Sequence, residues 1–296
     1  NLRATPQFRA IADKKVGSPT HDGSSIRFQI YSDIADTTVA GATLNETVDP
    51  DAVALPATTY LDVTQQELGR VVIPTRKLSL MSLSDVDPWI ANAVGFNMAM
   101  TLDNAVAAVL DAGTNVIRES AGALSTTAAK TTITATDTVK GRDIRYAVNK
   151  LRAGYVQTRG GMYVSYIHPE VSSDLRTETG NNIWRTPHEY QNMNPLLTGE
   201  IGSWEGVRFV ETATMTNSQS GSGTGGTQTR VYITYVLGAQ ALAEAVWKEP
   251  KIEFGNVTDK LNRFRPVGWH GIINWSVYRQ AALYRIETAA SGRPNA

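Results

Sequence analysis

Three glycines, Gly221, Gly223 and Gly226, stand at the spacing of a dinucleotide-binding fingerprint, in which backbone amides at a helix N-terminus hold a pyrophosphate. That chemistry needs a strand before the turn and a helix after it. Here the surroundings, Asn217 to Thr227, are Ser, Gly and Thr, and the strand-like run RVYITYV follows, so the stretch reads as a surface loop. His168 ends a short β-rich run before Pro169, where a general base could stand, but no serine elbow or spaced carboxylate accompanies it. It reads as a hydrogen-bonded structural histidine. His21, His188 and His270 lack the paired spacing of a metal site, and the absence of cysteine removes thiolate ligands, thiol nucleophiles and disulfides. Asp49 with Asp51, and Asp85 with Asp87, offer carboxylate pairs to a hard cation, yet neither continues as a calcium loop. Turn and helix-cap roles account for them. Glycosylation sequons begin at Asn45, Asn256 and Asn274 and carry little weight without a secretion signal. The sequence therefore predicts no enzyme, no cofactor and no metal.

Chemistry that is absent at the level of motifs shifts attention to charge. Lys plus Arg and Asp plus Glu number 28 each, which gives no reason to expect tight, sequence-independent nucleic-acid binding. The balance is local rather than even. Residues 1–27 carry Arg3, Arg9, Lys14, Lys15 and Arg27 against Asp13 and Asp22. Residues 28–69 carry Asp33, Asp36, Glu46, Asp49, Asp51, Asp62 and Glu67 with no Lys or Arg at all. Lys140 to Arg159 is basic, with Arg142, Arg145 and Arg152 on one predicted helix, and Lys260 to Arg285 holds Arg263, Arg265 and Arg279 with no acid.

These residues must be positioned by elements, and the stretch Leu83 to Asn115 organises them. Asp103 is the only charged residue between Pro88 and Leu110. Asp87 is placed to cap, Pro88 suits the first helical position, and Gly113 marks the stop. Ile90, Val94, Met98, Leu102, Ala105 and Val109 recur at helical spacing, and Trp89, Ala93, Phe96, Met100, Val106 and Leu110 widen the apolar face, so both flanks want cover. A membrane span is rejected because Asn92, Asn97, Thr101, Asp103 and Asn104 are spread through the segment and no basic flank orients it.

The rest of the chain, 296 residues at 42% hydrophobic and 19% charged, suffices for a sizeable core. Residues 1–25 are polar, show no sustained period, and read as an extended arm that needs a partner to order it. IRFQIYSDI and TTYLDVTQQELGRVVIPTRKL flank a turn-rich middle and describe a long two-stranded ribbon, too poor in large apolar residues for a core of its own. Ser125 to Asp137 is a link that reads as strand or loop. Thr138 to Gly154 is an amphipathic helix with Ile144, Ala147, Val148 and Leu151 on one face. Met162 to His168 is a strand, Pro169 opens a helix through Leu175, residues 181–200 form loop or short helix, Gly199 to Gly202 makes a turn, and Gly206 to Glu211 and Arg230 to Val236 are strands. Ala239 to Val246, rich in good formers, predicts a short helix, and Ile252 to Glu287 predicts long strands closing a sheet.

Four runs in this order carry a resemblance: TLDNAVAAVLDAGTNVI (Thr101 to Ile117), KLRAGYV, MYVSYIHPEVSSDLRTE and LLTGEIGSWEGVRFVET. Over residues 60–290 the chain resembles the major capsid proteins of tailed bacteriophages, nearest the N-four-like branch. The resemblance implies an α+β fold of the Hong Kong 97-like kind. Its expected parts are an N-terminal arm (1–27), an E-loop ribbon (28–78), a peripheral domain with the spine helix (79–137), an axial α/β domain (138–248), and peripheral return strands with the C-terminus (249–296). It implies a virion coat assembled in the bacterial cytoplasm from hexamers and pentamers of this chain. It further implies scaffolding, decoration and portal partners, and enclosed double-stranded DNA bound without sequence specificity. The start at Asn1 is expected to reflect either a removed leader, by maturation cleavage if a scaffolding-like segment preceded the arm, or a trimmed sequence. On that reading the inter-subunit contacts are the seven ribbon acids named above and Arg142, Arg145, Arg152, Arg263, Arg265 and Arg279. The alternatives are an encapsulin-like shell packaging protein cargo, a soluble α/β enzyme, and a phage tail or adaptor protein.

Overall fold

The computed structural model describes residues 7–17, 23–31, 43–44, 46–49, 54, 56–82, 87–178, 200–215, 217–223, 228–257, 259–261 and 263–292. The strands are β1 (Asp13–Val16), β2 (Ser25–Ile30), β3 (Thr59–Thr64), β4 (Glu67–Val72), β5 (Val116–Ser120), β6 (Ala123–Ser125), β7 (Tyr163–Ile167), β8 (Glu200–Trp204), β9 (Val207–Glu211), β10 (Asn217–Gln219), β11 (Arg230–Leu237), β12 (Leu242–Phe254), β13 (Val267–Val277) and β14 (Leu283–Thr288). The α-helices are α1 (Arg76–Met81), α2 (Asp87–Asp111), α3 (Gly141–Ala153) and α4 (Pro169–Thr177).

Two sheets and a ribbon follow from these elements. An eight-stranded mixed sheet runs β6-β5-β14-β11-β7-β9-β8, with β10 added to β11. Its centre, β11, is buried along almost its whole length, as RVYITYVL requires. The apolar face predicted for α3 is the one that is buried: Ile144, Ala147, Val148 and Leu151 join the main core, and Asp143 at the third helical position accepts the Lys140 amide at 3.0 Å. The link 125–137 is largely turns, ordered by the buried Asp137, whose carboxylate accepts the amides of Gly122 and Thr134 at 2.8 Å each.

A four-stranded sheet runs β1-β12-β13-β4, and α2 lies across β13 with further contacts to β4 and β12. The helix is long and apolar enough to cross a membrane, and it uses that length on protein. Ile90 and Val94 pack with Val267 and Trp269 at one end, while Leu102, Val106, Ala107 and Leu110 enter the main core at the other. Asn97 sits between these ends and accepts the Trp269 indole N–H at 3.1 Å. Trp89, counted in the apolar face, is 61% exposed.

Three predicted elements are corrected. Ala239 to Val246 is no helix: Leu242 and Val246 enter the main core while Ala243 and Ala245 face the other way, beneath the ribbon. The alternation LAEAV is a period of two, and burial on both faces overrides the helix propensity of alanine. The turn expected over Gly199 to Gly202 is strand where it is described, Gly199 itself lying outside the described residues. Residues from Glu200 belong to β8, and the glycine serves a bulge between Glu200 and Gly202, where Gly202 has φ of 148°. The arm is the third: residues 7–17 are ordered by their own chain. Part of the expected ribbon also leaves it, since β4 pairs with β13 and only β2 and β3 pair with each other. The loop expected over 181–200 lies outside the described residues up to Glu200.

Candidate functional site: arm seat, ribbon and charged faces

The arm is held by chemistry that its polar composition hid. Phe8 is fully buried, 4.7 Å from the Tyr166 ring and 6.2 Å from Tyr235 between centroids. Asp103, at the middle of α2 and 1% exposed, accepts the amides of Gln7 at 3.0 Å and Phe8 at 3.2 Å. The Tyr166 hydroxyl donates to the Gln7 carbonyl at 2.9 Å. Beyond this turn Arg9 donates to the buried Glu244 at 2.6 and 2.8 Å, and β1 adds to β12 in parallel, pairing Asp13 with Ala243 through Val16 with Val246. Arg159 pairs with Asp13, and Lys14 with Glu249 at 3.0 Å. Burial pushes the Asp103 carboxyl up to about 6, against the pull of its two amide donors.

The ribbon's root rests on the same strand. Ile26, Phe28 and Val63 cover Ala243 and Ala245, with Tyr278 edge-on to Phe28 at 5.5 Å and donating to the Gln29 carbonyl at 2.8 Å. Of the predicted ribbon acids, Asp33, Asp36 and Asp51 lie outside the described residues. Glu46 and Asp49 are exposed, beside the exposed Leu44 and Val48. Asp62 and Glu67 are committed within the chain: Asp62 accepts from Arg27 at 2.8 and 2.9 Å, and Glu67 meets His270 Nε2 at 2.6 Å.

The predicted bases divide in the same way. Arg142 pairs with the buried Glu119, which also accepts from Lys140 at 2.8 Å. Arg145 pairs with Glu205 at 2.9 Å and lies over Trp204. Arg152 is exposed and Arg279 half-buried, and Arg263 pairs with Asp259. Arg263 and Arg265 come together with Arg76 around a groove of about 280 Å³ floored by Ile90, Phe254, Val257 and Val267, with Asp87 at its edge. Arg76 was not singled out in the sequence, because it stands in α1, remote in the chain from the basic return strands; the backbone bond from the Arg76 amide to the Arg263 carbonyl at 2.8 Å brings it there. Leu78, Leu80 and Met81, on the same helix as Arg76, and Leu261, two residues before Arg263 in the chain, are exposed apolar side chains.

No group of three or more His, Asp or Glu poised for a metal occurs among the described residues. His168 caps α4, its Nδ1 accepting the Glu170 amide at 3.2 Å, and its ring lies 4.8 Å from Tyr232. His21 and His188 lie outside the described residues. Gly221 is pinned between the Ile133 carbonyl and Thr229, Gly226 lies outside the described residues, and among the described residues that follow the next element is β11, a strand, and not a helix that would present its N-terminus to a phosphate.

The sequence matches the phage capsid protein family over residues 13–276. No curated protein sequence is matched. The structure is similar to the capsid of Ralstonia phage GP4, with a TM-score of 0.74 at 14% identity, covering 100% of this chain and 94% of that one. It is also similar to the cyanophage Pam1 capsid (TM-score 0.68, 15% identity, 93% and 87% covered) and to that of Helicobacter pylori bacteriophage KHP30 (TM-score 0.68, 13% identity, 98% and 92% covered). At such identities the likeness shows the fold, which is the Hong Kong 97-like mixture of helix and sheet. The family match does not favour the encapsulin-like alternative.

Proposed function

Because this chain belongs to the phage capsid protein family, we infer that it is a major capsid protein whose work is to pack against copies of itself in the shell of a phage head. The match running through residues 13–276 carries that reading, and an N-terminal strand and a two-stranded ribbon root laid on β12 accord with it. The finer parts are proposals. The shell is built of hexamers and pentamers and encloses double-stranded DNA without reading its sequence, which the equal numbers of acidic and basic residues support. Assembly takes place in the host bacterial cytoplasm with scaffolding, portal and decoration partners. The chain acts by association and not by catalysis, and it stands nearest the N-four-like branch on the residue runs quoted above.

We further propose that the acidic ribbon of one copy docks on basic surface of the next. Glu46 and Asp49, flanked by Leu44 and Val48, match the groove of Arg76, Arg263 and Arg265 in charge and in apolar character. Such complementarity fixes register and steers encounter more than it adds affinity. Electron cryo-microscopy of the full chain, expressed alone and brought to high concentration at moderate salt, tests the shell reading. Closed shells, or sheets and tubes of six-fold units, are expected; a species no larger than a dimer across concentration, salt and crowding agents counts against it.

A further inference from the structure

We propose that the seat of the arm on α2 is a proton-linked clasp, in which Asp103 takes up a proton as it accepts the amides of Gln7 and Phe8, so that the arm binds more tightly as the medium turns acidic. The geometry is that of a binding site for a short peptide turn: one carboxylate receives two consecutive backbone amides, a hydroxyl on β7 donates to the Gln7 carbonyl, and an aromatic slot takes Phe8. The ligand is residues 7–16 of the same chain. This inference stands on contacts within one copy and does not depend on the shell reading.

The groups that face the clasp from each packed element explain its direction. From the arm, Arg9 is spent on Glu244 and Glu249, and Asp13 on Arg159. Tyr166, on β7, is pushed upward by burial and then by the Asp103 charge, so it stays neutral. Tyr235, from β11, donates to Asp111 one helical segment away on α2. Glu244, from β12, is satisfied by Arg9 and by the Trp275 indole at 3.3 Å. Among the described residues no cation pairs with Asp103, so its charge is buried against amides alone. The Gln7 Oε1 atom at the same turn is buried without a hydrogen-bond partner, which makes a donor welcome there and a second anion unwelcome.

Docked, Asp103 titrates at about 6; released into water it returns to the ordinary carboxylate range. The docked state therefore holds the proton more tightly. Acidification from neutrality through 6 favours docking, and above 6 the clasp carries a buried anion and is at its weakest. By linkage the docking constant rises about tenfold between pH 7 and pH 5.

Hydrogen exchange read by mass spectrometry on the unassembled full chain tests this, with rates corrected for the intrinsic pH dependence of exchange. Protection of the peptide covering 7–16 is expected to rise about tenfold from pH 7 to pH 5. Asp103→Asn keeps the shape and one acceptor, and should give protection that no longer varies with pH. Phe8→Ala should lower protection at every pH while keeping the slope. Wild-type protection that is flat or falls on acidification overturns the proposal. So does a slope that survives in Asp103→Asn, or an arm peptide that opens only together with β11.

Discussion

Glu119 on β5 and Asp143 on α3 are both fully buried, and each keeps one carboxylate oxygen without a hydrogen-bond partner, Oε2 and Oδ1, the latter 3.7 Å from Arg142 Nε. Lys140 and Arg142 neutralise the first of these acids, so the second is the one that gives way. Burial, and next the Glu119 charge, push the Asp143 carboxyl up to about 7, opposed by the Lys140 amide. A group raised in the folded state binds its proton more tightly there than in the unfolded chain. Its contribution to stability is present in acid and is lost as pH climbs through 7. Thermal melts are expected to show the protein losing stability from pH 6 to pH 8, a window that takes in the whole middle of the Asp143 titration but only the upper half of that of Asp103, and Asp143→Asn is expected to remove most of that loss. An unchanged slope in the variant would show that some other group is responsible. None of this was legible beforehand: Arg142 reads as a surface base on an amphipathic helix, and its partner stands on β5, 23 residues earlier. The same holds for Arg9 with Glu244, whose separation of 235 residues gives no local signal.

At the scale of elements, β12 carries the organisation that the sequence assigned mainly to the long helix. Its first half is covered on one edge by the arm, on the other by β13, and on its ribbon face by Phe28 and its neighbours. Pro250 falls in its second half, past the end of β1, within the irregular pairing between Lys248 and Lys251. Gly271 faces it, where an added Cβ would sit 2.8 Å from the Pro250 ring. A proline needs such an edge or bulge because it cannot donate to a ladder. The elements with strong periodicity, α2, α3, β7 and β11, were visible from local pattern alone. The arm and the alanine-rich first half of β12 were not, because segments of such weak strand propensity take their conformation from what covers them. Ala243 and Ala245 are small because the ribbon lies directly on them. Ala245→Leu is therefore expected to lift β2 and β3 from the sheet at a cost of about 1–3 kcal/mol, the range for overpacking. Urea unfolding would read the cost, and faster exchange in the 25–30 peptide, with β7 and β11 unchanged, would locate it. Equal exchange in wild type and variant would mean that the ribbon root does not depend on this contact.

For the whole molecule, the balanced totals of Lys plus Arg and Asp plus Glu conceal a separation of charge into surfaces. The structure reduces that separation, since Asp62, Glu67, Arg142, Arg145 and Arg263 each have partners in their own chain. What remains exposed on the acidic side, among the described residues of the ribbon tip, is Glu46 and Asp49; on the basic side Arg76 and Arg265 remain, beside Arg263, which shares its charge with Asp259. Single exposed ion pairs contribute only about 0.2–1 kcal/mol. In a closed shell, however, each contact is repeated on every copy, and joined contacts act at high effective concentration, so small terms decide whether assembly occurs. Reversing Glu46 and Asp49 to Lys is expected to raise the protein concentration needed for assembly roughly tenfold at low salt, the factor that corresponds to about 1.4 kcal/mol per copy. Adding salt should narrow the gap between variant and wild type, because it screens the attraction in one and the repulsion in the other. Arg263→Glu with Arg265→Glu should act alike, and the two sets combined should recover part of the loss, since the pairing is restored with its sign inverted. Light scattering against concentration measures all three, and melting curves of the unassembled variants verify that each still folds. Assembly of the Glu46 and Asp49 variant at the wild-type concentration would remove electrostatic docking as the device that sets the register between copies.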